Sequence, residues 1–455
     1  MSDSFYYIVA AALTALVLLG IAMMSKVKTA ARGNLLSACA MAAAIVITLI
    51  RGGIAGDIAL WAAMAVGLGL GALLTMRVKM IQMPQMVALL NGLGGAASLL
   101  VGWMELINPS VVSVFSSATA ALAVALGMLT LTGSLVAALK LHGLMGQRPV
   151  VWPGHMLLTI GALIVTVMTV VSLAANVAIG PMIALCLLAS GFFGVAFAIR
   201  VGGADMPITI SLLNAFSGVA AGIAGLAIAD PLLVAIGGVV GASGLLLTQI
   251  MCRSMNRHLM DIILGKTTAA PVSQAVVEEA PVESPAEEID PIALLKEAKQ
   301  VILVPGYGMA LAQAQEEVKR LQDVLEANGA QVRYAIHPVA GRMPGHMNVL
   351  LAEVDVPYEM LFEMDEINPA FADCDVCVVI GANDVVNPAA NTAEGTPIYG
   401  MPVLDVEKAK HIVMCNFDTK PGYAGVPNPL YAKGNGVTLL LGDAKEALGA
   451  LLKGF

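Results

Sequence analysis

Charge is scarce in this sequence. Of its 455 residues only 12% are Asp, Glu, Lys or Arg, about half the share of an ordinary soluble chain. Aromatic residues make up 5%, with three tryptophans, and the formal net charge is −8. So little charge excludes an ordinary cytosolic enzyme and a disordered chain. A negative balance leaves no basic surface for nucleic acid. Cysteine is sparse too: six residues, scattered, with one Cys374-x-x-Cys377 pair and no second pair to complete a zinc site. That pair opens an apolar run that reads as a strand, where residues three apart face opposite sides. It reads as free thiols, and no metal site is expected.

Apolar residues are abundant, at 58%, and the mean hydropathy is +0.83. The averages hide a division. Residues 1–266 carry 12 basic and 6 acidic side chains, whereas residues 267–455 carry 12 and 26. The first part holds nine apolar runs long enough for a hydrocarbon core of roughly 30 Å. They lie near 5–24, 34–50, 54–75, 84–104, 113–139, 156–175, 181–199, 207–228 and 231–251. The first is long and lacks a basic flank, so it reads as a span and not a signal peptide. Lys26, Lys28, Arg32, Arg77, Lys79, Lys140, Arg148, Arg200, Arg253, Arg257 and Lys266 fall on alternate loops, eleven residues facing Arg51 alone on the other side. The positive-inside rule makes the rich side cytoplasmic, with the N-terminus outside and everything after residue 252 inside.

The span interiors are nearly devoid of charge: Asp57, Glu105, Asp205 and Asp230 sit at or near span ends. Inside remain small or neutral-polar residues, among them Gly67, Gly69, Gly71, Asn91, Thr132, Ser134, Ser211, Asn214, Ser217 and Ser243. The glycines allow close helix approach, and the isolated hydroxyls read as packing. An amide in hydrocarbon costs several kcal/mol unless bonded. The two asparagines also recur in a pattern. Met83-Pro84, Leu89-Leu90-Asn91 and Gly95 return as Met206-Pro207, Leu212-Leu213-Asn214 and Gly218, 123 residues later. The two helices run in the same direction, each Asn about two turns in, so the echo marks either a polar site or a packing symmetry. Proton pumps normally carry an ionisable group at mid-depth. Protons crossing here would need a partner chain's group, or ordered water at Asn91 and Asn214.

Residues 267–290 contain three prolines, six acids and no base, the composition of an extended acidic tether. From 291 the pattern turns to α/β, with strands expected near 301–304, 331–336, 375–380, 401–404, 411–416 and 437–441 and helices between. Alternation of this kind argues for a doubly wound, Rossmann-like parallel sheet. Gly306-x-Gly308 follows the first strand and opens a helix, an imperfect dinucleotide fingerprint. Gly381-Ala382-Asn383-Asp384 and Gly442-Asp443-Ala444 follow later strands, so all three turns belong on the carboxyl edge of the sheet, where such folds bind ligands. The second strand ends Ile336-His337-Pro338 with Arg342 nearby and no acid. An NAD site usually has a carboxylate there, so the reading leans to NADP.

Several stretches resemble the beta subunit of the proton-translocating NAD(P) transhydrogenases of bacteria. They are Gly202-Gly203-Ala204-Asp205-Met206-Pro207, Ser211-Leu212-Leu213-Asn214 and Pro305-Gly306-Tyr307-Gly308-Met309-Ala310, followed by the run from His337 to Asn348, Gly381 to Asp384, Gly422-Tyr423-Ala424-Gly425-Val426 and Gly442 to Ala444. The resemblance covers the whole chain. It implies that this chain binds NADP(H) and that an alpha subunit, of one or two chains, binds NAD(H). Hydride would pass directly between the two nicotinamides, with no catalytic side chain. The transfer would be coupled to inward proton movement and would produce NADPH. The nucleotide would lie reversed on the sheet relative to ordinary dehydrogenases.

Carried onto this sequence, Gly306, Tyr307, Gly308, Met309 and Ala310 would line the cofactor, with Arg342, Met343 and Pro344 beside it and Arg342 on phosphate. Gly381, Ala382, Asn383 and Asp384 would follow, with Asp384 coupling occupancy to the membrane. Gly422, Tyr423, Ala424, Gly425 and Val426 would form a lid, and Gly442, Asp443 and Ala444 the adjacent edge. Asn91, Ser134, Asp205 and Asn214 would belong to the proton path or gate. The resemblance further implies a bacterial inner membrane, surrounding lipids and a dimer of the complex.

Two departures stand out. Many relatives have His where this chain has Asn91, which moves the expected protonatable group to a partner subunit. Many also have Lys-Arg-Ser ahead of the lid for the 2′-phosphate, where this chain reads Asn416-Phe417-Asp418-Thr419-Lys420. Asp418 would repel a phosphate unless it caps backbone amides, and Lys420 would serve as a point charge. Two other classes share the layout. An ion channel or transporter regulated by a nucleotide-sensing domain would show a charged or carbonyl-lined pore. A membrane-anchored dehydrogenase would need an acid/base residue, for which His337 and His346 are the candidates.

Overall fold

The structure is a computed structural model that describes residues 3–24, 27–78, 82–109, 113–146, 149–202, 205–254, 258–260, 290–341, 345–394, 396, 398–422 and 424–455. By internal contacts the chain divides into residues 1–202 with 208–248, and residues 203–207 with 249–455. Most of the expected tether, 267–289, lies outside the described residues.

Apolar runs without charge must satisfy their own backbone in lipid, which favours helices. The described residues contain nine helices long and apolar enough to cross a membrane. They are α1 Asp3–Met24, α2 Val27–Gly52, α3 Ile58–Arg77, α4 Met83–Ile107, α5 Val114–His142, α6 His155–Ala174, α7 Ile179–Ile199, α8 Met206–Ala227 and α9 Pro231–Ser254. Pro84, Pro207 and Pro231 fall in first turns, where a missing N–H is no loss. Asp57 caps α3 by accepting from Ala59 N–H at 2.9 Å. Gly143 ends α5 in the left-handed conformation, φ 85°.

Glycines set the α4/α5 contact. A Cβ on Gly95 would stand 2.8 Å from the Gly127 carbonyl oxygen, and one on Gly127 2.5 Å from that of Gly95. The two backbones therefore touch. By contrast, α3 buries none of its residues within the protein.

The second unit is built on a six-stranded parallel sheet. Its strands are β1 Gln300–Pro305, β2 Gln331–Ile336, β3 Leu361–Glu363, β4 Val376–Ile380, β5 His411–Asn416 and β6 Val437–Leu441, in the order β3-β2-β1-β4-β5-β6. Every residue of β4 and β5 is buried, as expected of strands covered on both faces. The chain leaves β1 towards β2 and later returns to β4 on the other side, so the carboxyl ends of β1 and β4 flank the crevice where such sheets hold ligands.

One expected strand is not a strand, and one strand was not expected. Residues 401–404 form no strand and pair with no neighbour in the sheet. Their polar groups go elsewhere: Leu404 N–H to the Val385 carbonyl at 2.9 Å, the Pro402 carbonyl to His337, and the Val403 carbonyl to Asn368 Nδ2 at 3.1 Å. Pro402 has no N–H to offer a ladder. The edge position is taken by β3, three residues long, which pairs with Tyr334, Ala335 and Ile336.

Candidate functional site

The strand-end loops interlock along the carboxyl edge. Gly306 N–H donates to the Ile380 carbonyl and Gly308 N–H to that of Gly381, both at 2.8 Å. A Cβ on Gly308 would lie 2.6 Å from Gly381 Cα, and one on Gly306 2.6 Å from Ala382 Cα. Gly381 has φ 66°, a conformation that penalises any side chain. The glycines after β1 therefore admit the loop after β4. Met309 N–H also turns inward, to the Gly306 carbonyl at 3.2 Å. In the ordinary fingerprint such amides face a pyrophosphate; here these three are engaged within the protein. Met309 and Ala310 are buried beneath the turn.

The β4 loop in turn holds the 420–427 loop. Asp384 Oδ2 accepts from Ala424 N–H at 3.0 Å, and a Cβ on Gly422 would stand 2.5 Å from Asp384 Oδ1. Asn383 Nδ2 donates to the Lys420 carbonyl at 2.9 Å. Fully buried Asn387 donates to the Pro427 carbonyl at 3.2 Å. Asn428 Nδ2 donates back to Asn383 Oδ1 at 3.0 Å. Val426 is buried against Ala389, Ala390, Ile398 and Met401, with Ala424 packed beside them. Gly425 has φ 72°, with open space where a Cβ would stand. The asparagines at 387 and 428 went unread in the sequence, where a lone Asn in a loop has no periodicity to mark it.

Two further contacts carry the row to β6. Asn416 Nδ2 donates to the Ala382 carbonyl at 2.8 Å, and Gly442 N–H donates to the Asn416 carbonyl at 3.0 Å. Gly442 has φ 136° and open space at its Cβ position, and Asp443 caps the helix Ala444–Leu452. The structure thus brings together 306–310, 381–384, 420–422, 424–426 and 442–444. Arg342, Met343, Pro344 and Tyr423 lie outside the described residues.

Asp418 meets the condition set for it. Its Oδ1 accepts from Lys420 N–H at 3.1 Å, and its Oδ2 pairs with Lys420 Nζ at 3.1 Å. The ammonium holds the carboxyl below its usual range. Lys420 is 82% exposed at the tip of this turn.

His337 is not poised as an acid or base. Its Nδ1 accepts from Val339 N–H at 3.2 Å, so Nε2 carries the proton and donates to the Pro402 carbonyl at 2.9 Å. Burial pushes its pKa down to about 4, and the ring is a neutral clasp between β2 and residues 401–404. His346 is buried against Gly341. Burial raises the Cys374 thiol to about 11 and that of Cys377 well above its ordinary value, so neither is a reactive thiolate.

In the membrane unit Asn91 is 8% exposed and its Nδ2 donates to the Ile210 carbonyl of α8 at 3.4 Å. That carbonyl lies four residues before Asn214, so the α4 amide reaches the helical turn that carries the second asparagine. Fully buried Ser134 lies alongside, its Cβ 3.2 Å from where a Cβ on Gly92 would stand. Ser211 accepts from Thr248 at 2.9 Å. Asn91, Ser134 and the Asn214 turn therefore share the α4/α5/α8 seam. Asp205 is buried and falls in the other unit. Two residues assigned to span ends or loops prove to be buried: Glu105 at 5% exposure and Lys140 at 1%. Lys140 Nζ bonds the carbonyls of Ile199, at 2.5 Å, and Val201, at 2.8 Å, at the end of α7.

Comparison with known proteins agrees with this architecture. The family described as NAD(P) transhydrogenase beta subunit matches residues 4–454. The NAD(P) transhydrogenase subunit beta of Rhodospirillum rubrum is 42% identical over 452 residues, covering 97% of this chain and 96% of that protein. A second sequence of that name, from a named strain of the same species, matches with the same figures. A match that runs from the first membrane helix to the last helix of the sheet unit shows that the chain belongs to the NAD(P) transhydrogenase beta subunit family.

Proposed function

We propose that this chain binds NADP(H) on the carboxyl edge of its sheet and exchanges hydride with NAD(H) held by an alpha subunit, of one or two chains. The exchange is coupled to inward proton movement and yields NADPH. The observation that carries the reading is the interlocked edge itself: four strand-end turns joined by hydrogen bonds, two of them with open glycines at Gly425 and Gly442. A dinucleotide is long and needs such a row. With the amides of Gly306, Gly308 and Met309 engaged inward, its phosphates fall to side chains, Lys420 here and Arg342 by resemblance. A nucleotide-regulated channel is not favoured, because the matching family is a transhydrogenase.

The dihydronicotinamide supplies the hydride when bound, so this chain contributes binding, orientation and exclusion of water. Gly306, Tyr307, Gly308, Met309 and Ala310 form the wall beneath the β1 end, and Gly381, Ala382 and Asn383 the wall beneath the β4 end. Asp384 fastens the 422–426 lid at Ala424, so lid position and nucleotide occupancy bias one another. Gly442, Asp443 and Ala444 close the row. Coupling requires the oxidised and reduced cofactors to prefer different states of the chain. In the membrane we assign Asn91, Ser134, Asp205 and Asn214 to the path or gate, with a mid-depth protonatable group on a partner subunit. The chain sits in the bacterial inner membrane, surrounded by lipid, with its N-terminus outside and its sheet unit in the cytoplasm, in a dimer of the complex. Sealed vesicles holding this chain and its alpha partner, given NADPH and an NAD analogue while internal pH is followed, test the reading. Hydride exchange with a matching pH change is expected; a nucleotide response without oxidation would overturn it.

A further inference from the structure

We propose that Glu105 is a proton-binding site, an acid at the end of α4 away from the basic loops whose proton decides how Ser116 holds the last turn of α8. The inference rests on the reading that protons cross through this chain. Glu105, Ser116 and Thr119 are 5%, 4% and 7% exposed. Ser116 Oγ lies 3.0 Å from the Ala227 carbonyl oxygen and 3.3 Å from Glu105 Oε1. Ala227 is the last residue of α8, and the residue four further on is Pro231, which has no N–H to donate. The N–H groups of Ile228, Ala229 and Asp230 go instead to Ala224, Leu226 and Gly225. The Ser116 hydroxyl is therefore the donor this carbonyl needs.

A hydroxyl has one proton to give. With it committed to Ala227, Ser116 Oγ can only accept from Glu105, and the contact is a hydrogen bond when the carboxyl is protonated. Losing that proton sets two acceptors face to face. The hydroxyl then turns to the carboxylate, since bonds to an ionised partner are roughly twice as strong as neutral ones. The Ala227 carbonyl loses its donor and the end of α8 is released. The same helix carries Asn214, and Asn91 of α4 bonds the turn before it. Protonation at one end of the seam thus bears on the helix that forms its middle.

The surroundings of Glu105 are largely apolar. Leu106, Ala120, Leu173, Ile183, Cys186 and Ala227 belong to one buried apolar cluster at this level. Glu105 is the one ionisable residue on α4, and α8 has none. On α5 the ionisable residues are Lys140 and His142, beginning 24 residues past Ser116, or about 36 Å along the helix. On α6 there is His155 at the far end, and on α7 Cys186. Beyond α8 stands Asp230, which accepts from the Tyr6 hydroxyl at 2.6 Å, with the Arg51 guanidinium 3.8 Å from the Tyr6 ring centre. A carboxyl in such a setting is a functional group by default. Uptake forms one O–H bond at the carboxylate, and release breaks it.

Infrared difference spectra of the purified complex with its alpha subunit, taken across pH, test the acid directly. A protonated-carboxyl band that titrates, shifts in D2O and is missing in Glu105→Gln is expected. Ser116→Ala keeps the carboxyl and removes its hydroxyl partner, so its band should persist but move. In sealed vesicles Glu105→Gln retains an N–H for Ser116 but holds no exchangeable acid, and coupled proton movement should fall by about tenfold or more. A spectrum that loses no band in Glu105→Gln, or a variant that moves protons at the wild-type rate with the wild-type dependence on outside pH, would overturn the proposal. A wild-type complex that exchanges hydride without moving protons would sink the coupling reading instead, and the band alone would then decide for or against the acid.

Discussion

Single side chains explain what the loops of the sheet unit are able to do. Lys420 stands exposed beside Asp418, whose carboxylate is occupied with the Lys420 amide and ammonium. A phosphate arriving there meets a cation whose companion acid is already satisfied. Lys420→Ala should therefore weaken NADP(H) binding to the full chain by about tenfold or more, on the order of one charge-assisted hydrogen bond. NAD(H) binding should change less than twofold, which calorimetric titration of both nucleotides will read. His337 makes a second test. Its folded pKa, about 4, lies below its ordinary 6.5. The stability it contributes is therefore complete above pH 6.5 and is lost as pH falls from 6.5 towards 4, because only the unfolded form gains the proton there. The loss amounts to about 3 kcal/mol at most. The hydrogen-exchange protection factor of the Val339 amide, whose N–H bonds the ring, should fall over that window, and should not do so in a His337→Gln chain.

At the scale of helices and strands, composition and periodicity went far. All nine spans appear as helices, because an uncharged run of about 20 apolar residues leaves the backbone no other way to bond itself. β1, β4 and β5 were legible for the related reason that strands buried on both faces read as continuous apolar runs, and the less buried β2 and β6 were legible from their short apolar runs. Residues 401–404 have the same apolar look, yet His337, Asn368 and Val385 take their polar groups, and nothing local announces that. β3 is too short to show a period. Within the site the glycine turns were legible, but not the reason for them: Gly306 and Gly308 make room for backbone. That reason yields a prediction. Gly381→Ala places a methyl group in a left-handed residue against the Met309 amide. The variant should lose NADPH affinity by at least about tenfold from strain of 1–3 kcal/mol while its membrane helices keep their circular dichroism. In the membrane unit Gly127→Leu would force α4 and α5 apart at Gly95 and Leu99. It should lower the yield of folded chain in detergent, since overpacking alone costs about 1–3 kcal/mol.

Across the whole molecule the division of labour follows the division of charge. Residues 1–266 carry six more bases than acids, and residues 267–455 fourteen more acids than bases. The first unit offers seams of small and amide-bearing residues, the second a single strand-end edge. On the proposed reading one edge makes one dinucleotide site, so hydride exchange should require the alpha subunit; reconstitution with and without it will show whether the chain alone is inactive. The most direct measurement is the equilibrium binding of NADPH and NADH to the purified full-length chain. NADPH bound at least about tenfold more tightly, a gap of some 1.4 kcal/mol, is the expected result. Equal affinities, or no binding of either nucleotide, would contradict the assignment of this edge.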